Sequence, residues 1–204
     1  MAATVLSLRN HLRASARDVL IEAAEHIAST EGLPKVSLQA IAQRAGIAVG
    51  TIYNYFEDRQ DLFDELFARR REELYAAIDD AAKHSARAPF EVQLDAFVRT
   101  VFAFFDARRA FLRVALEAEN ERPAIVRDKK GKPRSTMVQL QTRAEKVVGV
   151  GLREKRLRDR PTTWFASILV AIVRGVLVNE ASDDAPLVRE TEGVIDVFLH
   201  GAAR

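Results

Sequence analysis

Side chains that could cap helices or contact another molecule lie close together in the stretch from residue 37 to residue 63. Ser37 can cap a short helix, and Gly46 then allows a left-handed turn that reverses the chain. A second short helix is expected to begin near Val49, and Ile52 can fill the angle between the two helices. This spacing predicts a helix-turn-helix, whose second helix has the size to enter a DNA major groove.

The exposed residues of this predicted unit suit contact with nucleic acid. Their hydroxyl, amide and methyl groups can reach base edges and phosphates, and Gly50 permits a close approach of the backbone. Arg59 places a positive charge beside the N-terminal amides of the following helix, a combination that attracts phosphate. The predicted DNA-binding residues are Ser37, Gln39, Val49, Gly50, Thr51, Tyr53, Asn54, Tyr55 and Arg59.

The rest of the chain is also predicted to be helical. Only nine glycines and six prolines interrupt its 204 residues, and apolar residues between them recur every three or four positions. The expected helices cover residues 15–30, 58–82, 89–107, 135–156, 161–181 and 186–200, with a basic loop over 119–135. We predict an all-α protein with an amino-terminal three-helix domain over residues 1–57 and a carboxy-terminal helical domain over residues 58–204.

The inventory of reactive residues argues against an enzyme. The chain has no cysteine, which excludes disulfides, thiolate nucleophiles and cysteine-bound metals. Its four histidines are scattered, and the sequence contains neither a glycine-rich phosphate loop nor a nucleophile elbow of the G-x-S-x-G type. We therefore predict no catalytic residues, no metal ligands and no cofactor.

Composition also bears on where the protein works. The amino terminus lacks the apolar core of a secretion signal, and the longest uncharged run is shorter than the roughly 20 residues of a membrane helix. We predict a cytoplasmic protein that does not bind membranes. The net charge of +2 permits binding to nucleic acid without arguing for it.

The last two predicted helices are apolar on more than one side. The chain has too few other helices to cover both faces, so a second copy of the chain is the expected partner. We predict a homodimer closed by these two helices. The candidate interface residues are Ala171, Gly175, Val178, Ile195, Phe198 and Leu199.

Large apolar side chains are crowded between residues 90 and 111, where six of the eleven phenylalanines lie. Ordinary core packing explains such a cluster, and an apolar ligand pocket is the sharper alternative. Arg174 could orient a ligand, or it could pair with an acid such as Asp106, Glu117 or Glu119. The candidate pocket residues are Phe97, Phe102, Phe104, Phe105, Phe111, Met137, Trp164 and Arg174.

The amino-terminal quarter of the chain resembles the DNA-binding domain of the tetracycline-repressor (TetR) family. The resemblance lies in Ser37-Leu38, Ile41-Ala42, Ala45-Gly46-Ile47, Gly50-Thr51-Ile52-Tyr53, Tyr55-Phe56, Arg59 and Leu62-Phe63. Two positions depart from the family's pattern. Ala40 stands where an acidic residue commonly completes a capping box, and Ala48 stands where a serine commonly caps the second helix.

The resemblance implies a homodimeric transcription factor, usually a repressor, that an inducer bound to the carboxy-terminal domain releases from DNA. A two-fold dimer reads two half-sites, so the operator is expected to be a near-palindrome of double-stranded DNA. The inducer is expected to be a small apolar or amphipathic molecule. The alternative is a helical DNA-binding adaptor whose second domain recruits a protein instead of a small molecule.

Overall fold

The computed structural model describes residues 2–121, 136–183 and 185–202, and the regular elements within these ranges are all helices. The prediction of an all-α fold is confirmed. The α-helices are α1 (Ala2–Glu31), α2 (Leu38–Arg44), α3 (Val49–Ile52), α4 (Arg59–His84), α5 (Phe90–Asp106), α6 (Arg109–Glu121), α7 (Thr136–Arg153), α8 (Thr162–Asn179) and α9 (Thr191–Ala202). Short 3₁₀ turns at Leu33–Lys35 and Leu187–Glu190 precede α2 and α9.

Local signals set most helix ends. Gly32 and Gly46 have φ angles of 86° and 70°, a left-handed conformation that favours glycine. The side chain of Asp58 accepts a hydrogen bond of 2.7 Å from the backbone N–H of Asp61 and so caps α4. A capped helix of 26 residues can then span both halves of the molecule.

Two helix boundaries differ from the sequence-based prediction. Helix α1 begins at Ala2 and not at residue 15, because no glycine or proline interrupts residues 2–14. Helix α6 was missed as an element of its own, although Phe111 and Val114 are buried three residues apart and Arg113 and Glu117 are exposed four residues apart, which is a helical pattern. The predicted basic loop overlaps the end of α6, and its residues 122–135 lie outside the described ones.

Buried side chains form two clusters that meet along α4. The amino-terminal cluster combines α1, α2 and α3 with Leu62, Phe63 and Leu66 of α4 and with Val114 of α6. The carboxy-terminal cluster begins at Leu74 of α4 and extends through α5, α7, α8 and α9. Helix α4 therefore belongs to both cores. A domain boundary at residues 57–58 stays a prediction, since buried contacts continue across it.

Helix α8 is apolar enough to stand out. Within the described ranges it alone has the length and hydropathy of a membrane span, a measure that core helices of globular proteins also meet. One face packs into the carboxy-terminal core through Phe165, Leu169 and Val173, each fully buried. The opposite face is exposed, and it is considered below.

Candidate DNA-binding surface

The turn between α2 and α3 has the geometry of a helix-turn-helix. The hydroxyl of Ser37 accepts a hydrogen bond of 3.1 Å from the backbone N–H of Ala40 and caps α2. Beyond the left-handed Gly46, the backbone N–H of Ile47 donates to the carbonyl of Ala42 at 3.0 Å. Ala42 and Ile52 are each 0% exposed, so the two helices pack tightly at their crossing.

Helix α3 has a buried side and an exposed side within four residues. Ile52 anchors the buried side. On the other side Val49 is 40% exposed and Tyr53, which follows the helix, is 58% exposed. Gly50 and Asn54 are exposed as well, while Thr51 is half-buried. These predicted residues therefore share one surface that points away from the core.

Gly50 is not needed for packing within the chain. A Cβ atom built at this position meets nothing within 4 Å. The glycine keeps the surface low at the start of α3, which leaves room for another molecule to approach the backbone. Ser37 and Gln39, both exposed at the start of α2, flank the same surface.

The amino-terminal end of α3 lacks a side-chain cap. Ala48 has the extended backbone of a capping residue, with φ −66° and ψ 141°, but its methyl group accepts no hydrogen bond. The predicted weakness of this cap is thus present. At the other helix Ser37 caps α2, as predicted, and Ala40 supplies no acidic side chain to complete a capping box.

Arg59 makes two contacts within the chain that the sequence analysis did not predict. Its guanidinium donates a hydrogen bond of 2.5 Å to the carbonyl of Leu33 and lies 5.0 Å above the ring of Phe63. These contacts hold the start of α4 to the turn before α2. A guanidinium has five donor N–H groups, so a phosphate contact stays a prediction beside this structural role.

Sequence reasoning missed Arg17, which positions the same surface from α1. Its guanidinium lies 5.0 Å from the ring centre of Phe56, donates to the carbonyl of Tyr55 and pairs with Glu65 at 2.5 Å. The segment between α3 and α4 is therefore clamped between α1 and α4. No local pattern points to this role, because the partners lie 38 and 48 residues away.

The predicted pocket residues are divided between the core and the surface. The phenylalanines among them are 0–7% exposed, and Phe105 stacks on Phe111 with ring centres 6.3 Å apart. Trp164 is 48% exposed on the outer side of α8, so it does not line the interior of this chain. Arg174 is half-buried on α8, and the side chain of Met137 lies outside the described residues.

Among the described residues, two surface grooves stand out, and neither is lined by the predicted pocket residues. A groove of about 590 Å³ has charged walls from Glu91, Lys155 and Arg156 and from α9. A second, of about 400 Å³, lies between α1 and the junction of α5 with α6. Both differ from the apolar pocket that the sequence suggested.

The candidate interface residues also face in two directions. Ala171, Gly175 and Val178 lie on the exposed face of α8, and Val178 is 45% exposed. Ile195 and Leu199 are half-buried on α9. Phe198 is 1% exposed and packs on Phe165 within this chain, so it has no surface for a partner. The outer side of α9 carries Val197 instead, which is 60% exposed.

A short exposed helix on a helix-turn-helix, joined by α4 to a larger helical core, defines a DNA-binding regulatory protein. Comparison of the sequence with known protein families supports the same class of protein. Residues 20–66 match the family model described as "Bacterial regulatory proteins, tetR family". This segment of the chain is therefore similar to the DNA-binding domain of the TetR family of transcriptional regulators.

Three similar proteins illustrate the relationship. An uncharacterised helix-turn-helix regulator of Bacillus subtilis, YhgD, is 21% identical over 90% of this chain and 94% of its own length. The repressor KstR of Mycolicibacterium smegmatis is 38% identical over 32% of each chain. The structure of FadR from Bacillus subtilis in complex with stearoyl-CoA has a TM-score of 0.73 at 16% identity, covering 90% of this chain and 97% of that one. At that identity the structural likeness establishes the fold.

Proposed function

We propose that this protein is a cytoplasmic homodimeric repressor that binds a near-palindromic DNA operator and leaves it when a small apolar or amphipathic molecule binds the carboxy-terminal core. The observation that carries the proposal is the exposed side of α3. Val49 and Tyr53 are 40% and 58% exposed there, three residues before and one residue after the fully buried Ile52. Such side chains suit thymine methyl groups, base edges and phosphates.

Dimerisation follows from the outer face of α8. Trp164 and Val178 are both nearly half-exposed on this face, and Ala171 and Gly175 between them are small. A second copy that brings its own α8 and α9 to this face would complete a four-helix arrangement and remove the apolar surface from water. Two recognition surfaces related by a two-fold axis would then read two half-sites.

The proposed ligand class rests on the chemistry of the second core and on the relatives. This core is built around aromatic side chains, including Phe90, Phe102 and Phe165, each 0% exposed. A ligand that opens this packing would gain about 25 cal/mol for each Å² of apolar surface it buries. The solved relative FadR holds stearoyl-CoA, an amphipathic molecule. Coupling energies of about 1–3 kcal/mol would lower DNA affinity roughly 5- to 150-fold.

One observation favours the adaptor as a second candidate. The phenylalanines predicted to line a pocket are 0–7% exposed, and the ring of Phe105 contacts the rings of Phe104 and Phe111. A core that stays filled in this way would leave no site for a small molecule. The charged groove beside α9 would then be the natural place for a protein partner.

DNA binding is tested by selecting duplexes from a random pool with the purified protein. We expect a near-palindromic consensus, and Thr51→Ala should change the preferred bases within each half-site. Thr142→Ala is the matched control, because Thr142 is exposed on α7 far from α3. A consensus that is identical for the protein and for Thr51→Ala would remove Thr51 from base recognition, and the absence of any consensus would refute the proposal.

The dimer is tested with Val178→Asp and the control Val92→Asp. The two valines are similarly exposed, at 45% on α8 and 51% on α5. An unpaired aspartate at a buried interface should cost about 3–5 kcal/mol and shift the protein toward monomer, whereas Val92→Asp should leave the dimer intact. Light scattering measures both. A tight dimer of Val178→Asp would place the interface elsewhere.

Ligand binding is tested by thermal shift with acyl-CoA thioesters, free fatty acids and steroids, followed by competition with operator DNA. An inducer should raise the melting temperature and release DNA. If no compound in this panel changes either quantity, while the protein still binds its operator, the adaptor takes the place of the ligand-responsive repressor.

A further inference from the structure

A chain of ion pairs crosses the junction between the two cores. Arg70 of α4 binds Glu25 of α1, with Nη2 and Nε 2.6 and 3.0 Å from the same carboxylate oxygen. Nη1 of Arg70 also donates to Glu73, at 2.9 Å. The other oxygen of Glu73 lies 3.2 Å from Arg108, which follows α5. We call this series from Glu25 to Arg108 the coupling chain.

The first two members of the coupling chain, Glu25 and Arg70, are sheltered from water. The side chains of Arg70 and Glu25 are 15% and 14% exposed, whereas those of Glu73 and Arg108 are 34% and 32% exposed. Removal of one partner from a sheltered pair leaves a poorly solvated charge, so α1 and α4 are held together at this point. The more exposed pair of Glu73 and Arg108 can part at lower cost.

The far end of the coupling chain is fastened to the carboxy-terminal core. The guanidinium of Arg108 lies 4.4 Å above the ring of Phe104. Its neighbour Arg109 donates a hydrogen bond of 2.8 Å to the carbonyl of Glu180, at the end of α8. Asp106 accepts hydrogen bonds from the backbone N–H groups of Leu187 and Val188, just before α9. The turn between α5 and α6 is thus attached to both helices of the proposed dimer interface.

An open groove lies beside the coupling chain, between α1 and this turn. The groove of about 400 Å³ is lined on one side by Glu22, Glu25 and His26 of α1 and on the other by Arg108, Arg109 and Ala110. A change in the groove's width would stretch the contact between Glu73 and Arg108 before it disturbed the sheltered pair.

We propose that Glu73 is a positioning residue that couples the α5–α6 turn to α1 through Arg70, so that DNA binding at α3 and the arrangement of the carboxy-terminal core depend on each other. The inference rests on the proposed function, because it presupposes that α3 binds DNA. Coupling between two sites is reciprocal. DNA itself can therefore serve as the effector, and the test needs no knowledge of the inducer.

The test is amide hydrogen exchange of the full chain, alone and bound to the duplex that the protein selects. In the parent protein we expect DNA to slow exchange at α2 and α3 and also to change exchange in residues 104–112. Glu73→Gln should keep the first effect and lose the second, with operator affinity changed by less than about tenfold. Arg108→Gln breaks the same contact from the other side and should behave alike.

Asp95→Asn is the matched control. Asp95 pairs with Arg99 within α5 at 2.9 Å and is 39% exposed, close to the exposure of Glu73, but this pair does not cross the junction. The control should keep both exchange effects. The inference is overturned if Glu73→Gln and Arg108→Gln retain the remote effect, if Asp95→Asn loses it, or if DNA leaves residues 104–112 of the parent protein unchanged. Failure of the parent protein to select any duplex would instead refute the proposed function.

Discussion

A methyl group added at Gly151 would collide with the ring of Phe90. A Cβ atom at this position lies 2.8 Å from Cζ and 2.9 Å from both Cε atoms of that ring. Carbon atoms attract best at about 3.5–4.0 Å, so one partner must move. Phe90 is 0% exposed, and its backbone N–H donates to Glu154 at 3.1 Å, which restricts its retreat.

Two opposing effects set the size of the change for Gly151→Ala. Overpacking of a filled core costs about 1–3 kcal/mol. Replacing glycine by alanine inside a helix returns about 1 kcal/mol. The net result is a loss of about 1 kcal/mol in the free energy of unfolding, which for a chain of this size lowers the melting temperature by about 2–4 °C.

Gly149→Ala provides the control on the same helix. A Cβ atom there meets Arg153 at 3.5 Å and Thr162 at 3.9 Å, which are ordinary contacts. We expect this variant to gain about 1 kcal/mol and to melt about 2–4 °C higher. Thermal unfolding followed by circular dichroism compares the two. If Gly151→Ala stabilises the protein as much as Gly149→Ala, the packing of Phe90 against α7 is not as described.

Two further predictions concern the caps and a buried tyrosine. Ala48→Ser should add the missing cap of α3 and raise the free energy of unfolding by about 1 kcal/mol. Ser37→Ala should remove the cap of α2 and lower the free energy of unfolding by a similar amount. Melting temperatures that shift in the same direction for both variants would contradict this prediction. Burial raises the pKa of Tyr75 from 10.0 to about 12, against the opposing charges of Arg71 and Arg143. The folded state thus favours the neutral phenol, and the stability it contributes is present below pH 10.0 and lost as the pH rises toward about 12. A pH titration of phenolate absorbance should show an ionisation step at about pH 12 that is absent from Tyr75→Phe. If Tyr75→Phe instead loses an ionisation step near pH 10, the usual pKa of tyrosine, the raised pKa of Tyr75 is refuted.

The sequence by itself determined the fold class and the location of the recognition unit. Its signals act over three or four residues, as when Ser37 caps the backbone N–H of Ala40 or Asp58 caps that of Asp61. A cap, a left-handed glycine and an apolar stripe belong to one stretch of chain and can be recognised there. The same reasoning placed Ile52 inside and Tyr53 outside. It failed at α6, because the segment after the predicted helix 89–107 was not recognised as a helix of its own.

Only the tertiary structure decided what long side chains contact and which side of an apolar helix is covered. The pairing of Arg70 with Glu25 joins residues 45 positions apart, and it depends on how α1 crosses α4. Helix α8 is apolar on nearly all sides, so its periodicity could not show that Trp164 faces outward and Phe165 inward. Likewise, Phe198 and Val197 are neighbours in sequence but point to opposite sides of α9. Residues far apart meet only when helices pack, because crossing angles and helix rotation are properties of the assembled core.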